Sequence, residues 1–490
     1  MISRRPELAE SLDATGAVGP GGAVGITPAV RKRRFSISPE MAVMVALGLV
    51  SLLNYAYTAV LVWLLPPGHY AVVGAASSLL LVCGTVASAS IPWVLAREVA
   101  RCRQDDELRK SAVSFCIAGT AVEAMLAGLV TGGIAIAYGD GLVVAAVLGS
   151  VVTIFTSATA IGYLQGFERF NLIAVLKLAE VVVKFGVGVF LVESGFGAAG
   201  AIVAFGIGSA AVTVVGVVAM RDDLYLKLSS IFDRRLWKSA IGLMSIQAGV
   251  ALLASIDVIV GSLTISHRSR LATYEVAQIL TRIPIFVATA LSIIVFPRLV
   301  TGSRSAQAGP IAENLSLWMR LCIPVAIVTG TLPPQVLTRL FPSAYGNIGA
   351  LLAWTAAAGL AMGAVNLTST YFQAADVYRR PFWVLSVAVP FLVAAAVLGI
   401  RLAGVRGLGA AAAAIGTLVA VTFVVMCRRH WPESLDGLWK PALVAAVESA
   451  PLIVLRSNIA LWSVWAVVGV GAPIFFSLAR SGRSEAPKPL

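Results

Sequence analysis

Apolar residues run along this chain in long blocks, with short polar stretches between them. Fourteen blocks stand out: 41–64, 71–95, 111–138, 141–165, 172–192, 198–220, 239–263, 272–298, 314–341, 347–373, 381–402, 407–427, 440–456 and 458–479. A helix needs about 20 apolar residues to cross a hydrocarbon layer roughly 30 Å thick. Each block therefore predicts a transmembrane helix. An even number of crossings puts both termini on one side.

Composition agrees with that pattern. The chain is 58% hydrophobic and 12% charged, with a mean hydropathy of +0.89. A soluble domain carries about 25% charged residues. So much apolar surface cannot be hidden in one aqueous core, and the expected class is an all-α polytopic membrane protein. The net charge of +13 raises a nucleic-acid partner, but the placement of the basic residues argues against one. With a cytoplasmic N-terminus, 27 of the 37 Lys and Arg fall in tails and loops on that side. Five fall in opposite loops and five inside blocks: Lys177, Lys184, Arg282, Arg320 and Arg339. This is the positive-inside asymmetry. It predicts a cell-membrane protein with both termini cytoplasmic and its basic loops beside anionic lipid.

Residues 1–38 are Gly- and Ala-rich, without the apolar core of a signal peptide, and predict a disordered cytoplasmic tail. Residues 481–490 predict a second, shorter tail. The five cysteines suggest reduced packing residues, and His69, His267 and His430 lie too far apart to suggest a metal cluster. No cofactor is expected.

One phrase occurs twice. "YLQGFERF" (163–170) and "YFQAADVY" (371–378) both close an apolar block. Tyr70 precedes Pro92 much as Tyr274 precedes Pro297. "GAAGAIVA" (197–204) opens one block and "GLGAAAAA" (407–414) another. The offsets stay between 204 and about 209 residues. Ordered matches at a near-constant offset predict a duplicated six-helix unit. Two such lobes, 39–225 and 226–430, would be related by a pseudo-twofold axis along the membrane normal. Two extra helices follow in 431–480.

The Tyr274–Ala277–Leu280 opening, "FPRL" (296–299) and "YLQG" (163–166) resemble the multidrug/oligosaccharidyl-lipid/polysaccharide (MOP) flippase superfamily. "SIDVIVGSLT" (255–264) is similar to the seventh helix of its polysaccharide-biosynthesis, O-antigen-flippase-like branch. The resemblance covers about residues 40–430. It implies a flippase moving a polyprenyl-phosphate-linked glycan from the inner to the outer leaflet by alternating access. Its partners would be that glycan, membrane lipid and glycan-assembly enzymes recruited at the cytoplasmic face.

Charged groups inside spans are costly and usually face a cavity or a partner. One stripe holds Lys177, Glu180 and Lys184, with Glu180 and Lys184 spaced as an i,i+4 pair. Another holds Glu275, Gln278 and Arg282, and the preceding span carries Asp257. The candidate substrate-binding set is Arg282, Asp257, Lys184, Glu180, Glu275 and Gln278. Arg282 is the first choice for a phosphate cation, roughly 15 Å deep at 1.5 Å per residue. Lys177 is close enough to the inner surface to snorkel.

A phosphate-binding GxxxxGK(S/T) loop is absent from the sequence, and the expected outer loops are short, so neither an ATP-driven motor nor an enzyme is expected. Two other readings stay open. One is a drug or cation antiporter coupled through Asp257, Glu123 or Glu275. The other is a transport-inactive scaffold for glycan-assembly enzymes.

The topology has a direct test. In intact cells, single cysteines at Ser229 and Ser303 should resist membrane-impermeant thiol reagents, and one at Ser266 should react. Labelling at Ser229 would overturn the orientation.

Overall fold

The computed structural model describes residues 39–102, 105–225, 233–301 and 303–471. The two expected tails and Ser229 lie outside these residues. The described part is all helix and turn.

The first half contains α1 (Pro39–Leu64), α2 (Pro67–Ala89), α3 (Ile91–Arg101), α4 (Asp106–Tyr138), α5 (Gly141–Gly166), α6 (Phe170–Leu191) and α7 (Gly197–Met220). The second contains α8 (Arg234–Leu253), α9 (Ile256–Thr264), α10 (Arg268–Thr281), α11 (Ile283–Thr301), α12 (Arg304–Gly330), α13 (Pro334–Leu340), α14 (Leu352–Ala374) and α15 (Arg379–His430). The short helices α16 (Trp439–Ser449), α17 (Pro451–Leu455) and α18 (Ile459–Val464) follow. The last apolar block, 458–479, extends past the described residues.

Among the described residues, eight helical stretches are long and apolar enough to cross a membrane, or up to ten if each of two bent pairs is one span. The chain is a multi-pass membrane protein. The difference from fourteen blocks has identifiable causes. Phe170–Met220 and Arg379–His430 each run through two predicted blocks, at 51 and 52 residues. At 1.5 Å per residue each exceeds about 75 Å, far more than one crossing needs. Each is interrupted inside by non-helical backbone, at Gly195 and at Ala403–Gly404. After Gly404 the chain folds back, so that Gly399 and Gly407 lie backbone against backbone. The block 314–341 instead ends at Gly330, before Pro333 and Pro334.

The repeated phrase makes the same turn twice. α5 and α14 both end in a left-handed residue, Glu168 at φ 58° and Asp376 at φ 55°. In the first copy Arg169 N–H donates to the Leu164 carbonyl at 3.0 Å. In the second Val377 N–H donates to the Phe372 carbonyl at 2.9 Å. Both bonds close the six-residue loop of a Schellman cap, which satisfies the last carbonyls of a helix. The phrase is thus a helix stop that turns the chain into α6 and α15.

The phrase also opens each stop with a buried tyrosine. Tyr163 donates to Asp223 at 2.7 Å, and Tyr371 donates to Asn314 at 2.7 Å. Asp223, just beyond α7, also receives Arg109 Nε at 2.7 Å and a second Arg109 nitrogen at 2.8 Å. This fork ties the start of α4 to the end of α7. The five cysteines are free thiols, four of them buried.

The Arg109 guanidinium beside Asp223 holds its carboxyl below the ordinary aspartate range. A depressed carboxylate stabilises the fold above its ordinary value, and that contribution is lost as pH falls through the folded value. Asp223→Asn should cost about 1.5–3 kcal/mol at neutral pH. Thermal unfolding in detergent should show the variant's midpoint well below wild type at pH 7, and the gap should shrink below about pH 4.

Candidate functional site

Two helices of the second half are broken inside the apolar layer, and the breaks meet. α8 and α9 part at Ala254–Ser255. α10 and α11 part at Arg282, with a bend of 43°. Both breaks line one cavity of about 30 Å³, together with Thr355, Gly359 and Gly416. That volume holds one or two water-sized groups.

A broken helix leaves N–H and C=O groups that lipid cannot satisfy. Local polar residues answer that need. Asp257 lies in the first turn of α9, where its Oδ1 accepts from the Val258 N–H at 2.8 Å. A carboxylate there also suits the positive end of the helix dipole. On α10, the Thr281 hydroxyl donates to the Ala277 carbonyl at 3.1 Å, one turn before the break. α14 packs against the break at Gly359. A Cβ at that position would lie 2.1 Å from the Thr281 carbonyl oxygen, so only glycine allows this approach.

Asp257, Gln278 and Arg282 are connected. Asp257 Oδ2 accepts from the Tyr274 hydroxyl at 2.5 Å and from Gln278 Nε2 at 2.5 Å. The other end of the same amide, Gln278 Oε1, accepts from Arg282 at 3.0 Å. The amide therefore relays between acid and cation. Arg282 is half-buried and borders the cavity. It makes no ion pair among the described residues.

No family model matches the chain, and no curated protein matches it. Solved structures do. The structure of "Lipid II flippase MurJ, inward closed conformation" aligns with a TM-score of 0.70 at 12% identity, over 90% of this chain and 99% of that one. An inward-facing multidrug resistance MATE family transporter aligns at 0.59 and 13% identity, over 81% and 99%. A MOP superfamily transporter from Pyrococcus furiosus aligns at 0.57 and 15% identity, over 81% and 97%. The chain has the MOP transporter fold.

Within the MOP fold, the remaining candidates lie apart from this cluster. Glu275 shares a helix with Gln278 but turns to the seam between the halves. A Cβ on Gly74 of α2 would fall within 1.8 Å of its carboxyl, and both Glu275 oxygens are buried without a hydrogen-bond partner among the described residues. The stripe expected for Glu275, Gln278 and Arg282 thus divides between two surroundings.

Lys184 and Glu180 belong to the first half. The expected Glu180–Lys184 pair does not form. Glu180 accepts from Lys177 at 2.9 Å and from Ser209 at 2.8 Å. Lys184 donates to Asn54 and sits over the rings of Phe205 at 4.4 Å and Tyr57 at 5.1 Å. A cation caged by aromatic faces and an amide is held by its own half.

Sequence reasoning did not assign Tyr274 to the site. It was visible only as the opening of a repeat, yet its spacing of four from Gln278 puts both on one helical face. Asn54, Thr281 and Thr355 carried no signal of their own.

The close approach at Gly359 predicts a sharp contrast. Gly359→Ala should push α14 off the break and cost about 1–3 kcal/mol. Gly186→Ala, with open space around it, should leave the unfolding midpoint in detergent near wild type.

Proposed function

We propose that this chain is a flippase that moves a lipid-linked, phosphate-bearing glycan from the inner to the outer leaflet. In this reading the chain crosses the membrane fourteen times, with both termini cytoplasmic. Two six-helix lobes, 39–225 and 226–430, rock against each other, and the last pair of helices packs outside them. The observation that carries the reading is Arg282. It is a cation at a helix break inside a span, oriented by an amide and not neutralised by a direct acid partner. A planar guanidinium in that setting suits a phosphate oxygen pair. Discontinuous helices are also where transport folds commonly hold their substrates.

Asp257 and Gln278 then serve as positioning residues, with Tyr274 fixing the carboxylate. Glu180 and Lys184 would face the substrate only if the aromatic cage around Lys184 opens. Support for a lipid-linked substrate comes from the likeness to the lipid II flippase fold. An inside-negative potential would favour outward movement of an anion by about 2.3 kcal/mol per charge per 100 mV.

A second reading has its own observation. Asp257 borders a cavity of about 30 Å³, large enough for a small cation, as a cation-coupled antiporter would need.

Purified protein in liposomes separates the two. Outward flux of a lipid-linked glycan should fall partly in Arg282→Lys and nearly vanish in Arg282→Ala, at equal protein levels. Asp257→Ala alone should reduce flux by disordering Gln278. If Arg282→Ala combined with Asp257→Ala recovers flux, Arg282 serves only to balance a buried acid, and the phosphate role fails. Drug or cation exchange without glycan movement would favour the antiporter.

A further inference from the structure

Away from the helix breaks, a cleft of about 750 Å³ opens at the end of the second half where α12 and α15 begin. Its lining includes Arg304, Arg379, Arg380, Arg429 and His430, and its one acid is Asp376. The four arginines come from three separate places: the start of α12, the start of α15 and the end of α15. None of them makes an ion pair among the described residues. Asp376 accepts from the Tyr378 hydroxyl at 2.8 Å instead. Arg304 is fixed by donating to the His430 carbonyl at 2.7 Å.

A topology signal alone does not account for this placement. Cations in loops need only lie on the correct side of the membrane. Here they converge on a concavity, where they repel one another. Three of them occupy the first turns of α12 and α15, the end of a helix where its dipole disfavours positive charge. Burial, with Arg304 and Arg380 nearby, holds the His430 imidazole below its ordinary value.

The first half supplies an internal comparison. At the corresponding corner, Arg109 at the start of α4 is consumed by Asp223 beyond α7. In the second half the same tie is neutral. Trp431 Nε1 donates to Gln307 Oε1 at 3.0 Å, and Gln307 Nε2 donates to the Leu299 carbonyl at 2.7 Å. The Trp431–Asp223 offset is the 208 residues of the repeated phrase. So the second half closes its corner without charge and leaves its arginines facing the cleft.

We propose that this cleft binds a phosphate group, presented by an anionic phospholipid of the adjoining leaflet. Several guanidiniums around one concavity match the oxygens of a phosphate, and basic pockets between membrane helices suit such head groups. The site is separate from Arg282 and does not depend on the transport reading, because it is tested by binding alone.

The test uses the full chain, purified in neutral detergent. The unfolding midpoint is followed as short-chain phosphatidylglycerol, phosphatidylcholine or inorganic phosphate is titrated. Phosphatidylglycerol should raise the midpoint at lower concentration than phosphatidylcholine. The triple variant R379Q, R380Q, R429Q should weaken that binding about tenfold or more. The pair R401Q and R406Q, which flank the break inside α15 at Ala403–Gly404, should not. Protection by inorganic phosphate as strong as that by the lipid would keep the site but assign it to a soluble phosphate. The lysine triple R379K, R380K, R429K keeps the charge and loses the planar fork. It should bind with intermediate affinity, and it stands in if the glutamine triple does not fold. Wild-type affinity in a folded glutamine triple, or in the lysine triple where that one must stand in, overturns the proposal. So does an equal loss in the R401Q, R406Q pair.

Discussion

A peptide group inside a lipid layer has no water to fall back on. In this protein the constraint bears hardest on two interrupted helices, at Ala254–Ser255 and at Arg282. Each interruption frees backbone groups that must find partners within the protein. That requirement explains the residues around them. Asp257 takes the Val258 N–H. Thr281 and Thr355 direct hydroxyls at carbonyls of their own and neighbouring turns. Gly359 lets a third helix press against the Thr281 carbonyl. The polar chain from Asp257 through Gln278 to Arg282 follows from this arrangement, since a buried acid and a nearby cation each need a partner with matching geometry.

The two halves solve shared problems with the same devices and diverge where their polar residues lie. Both stop a helix with a left-handed acidic residue and a Schellman cap, 208 residues apart. Both follow a helix break with Ile-Pro, at 91–92 and 283–284. The positions differ. In the first half the break at Ser90 comes 20 residues after Tyr70, whereas Arg282 comes eight after Tyr274. The first break lies near a helix end, where Ser90 donates to Glu123 at 2.8 Å. The second lies deeper in its span, where a cavity is lined by an acid, an amide and a guanidinium: Asp257, Gln278 and Arg282.

The seam between the halves is packed at both ends. Near one end, Tyr70 and Tyr345 meet edge to face with centroids 6.2 Å apart, and the Glu275 carboxyl presses on Gly74. Near the other, Phe115 and Trp237 meet at 5.6 Å, and Arg235 reaches Glu98 at 3.5 Å. A carboxyl without partners among the described residues is costly to bury, so the contact at Gly74 works against the aromatic packing that holds this end of the seam together.

Much of this was written in one dimension. Apolar blocks of helical length, few charges and basic residues gathered in every second loop determined a multi-pass helical membrane protein, because the solvent imposes length and charge placement locally. The repeated phrase also stood in the sequence, since a helix cap is made by neighbours. Tertiary structure decided the rest. Two pairs of blocks run on as 51- and 52-residue stretches, because the expected loops shrink to brief non-helical breaks at Gly195 and at Ala403–Gly404. Glu180 pairs with Lys177 rather than Lys184, because Asn54 and two aromatic rings claim that lysine. Glu275 and Gln278 share a stripe in sequence but face different neighbours, because α2 packs on one side of α10 and Asp257 lies on the other. Helical spacing fixes which residues can share a face; only the packed neighbours decide what each side chain meets there.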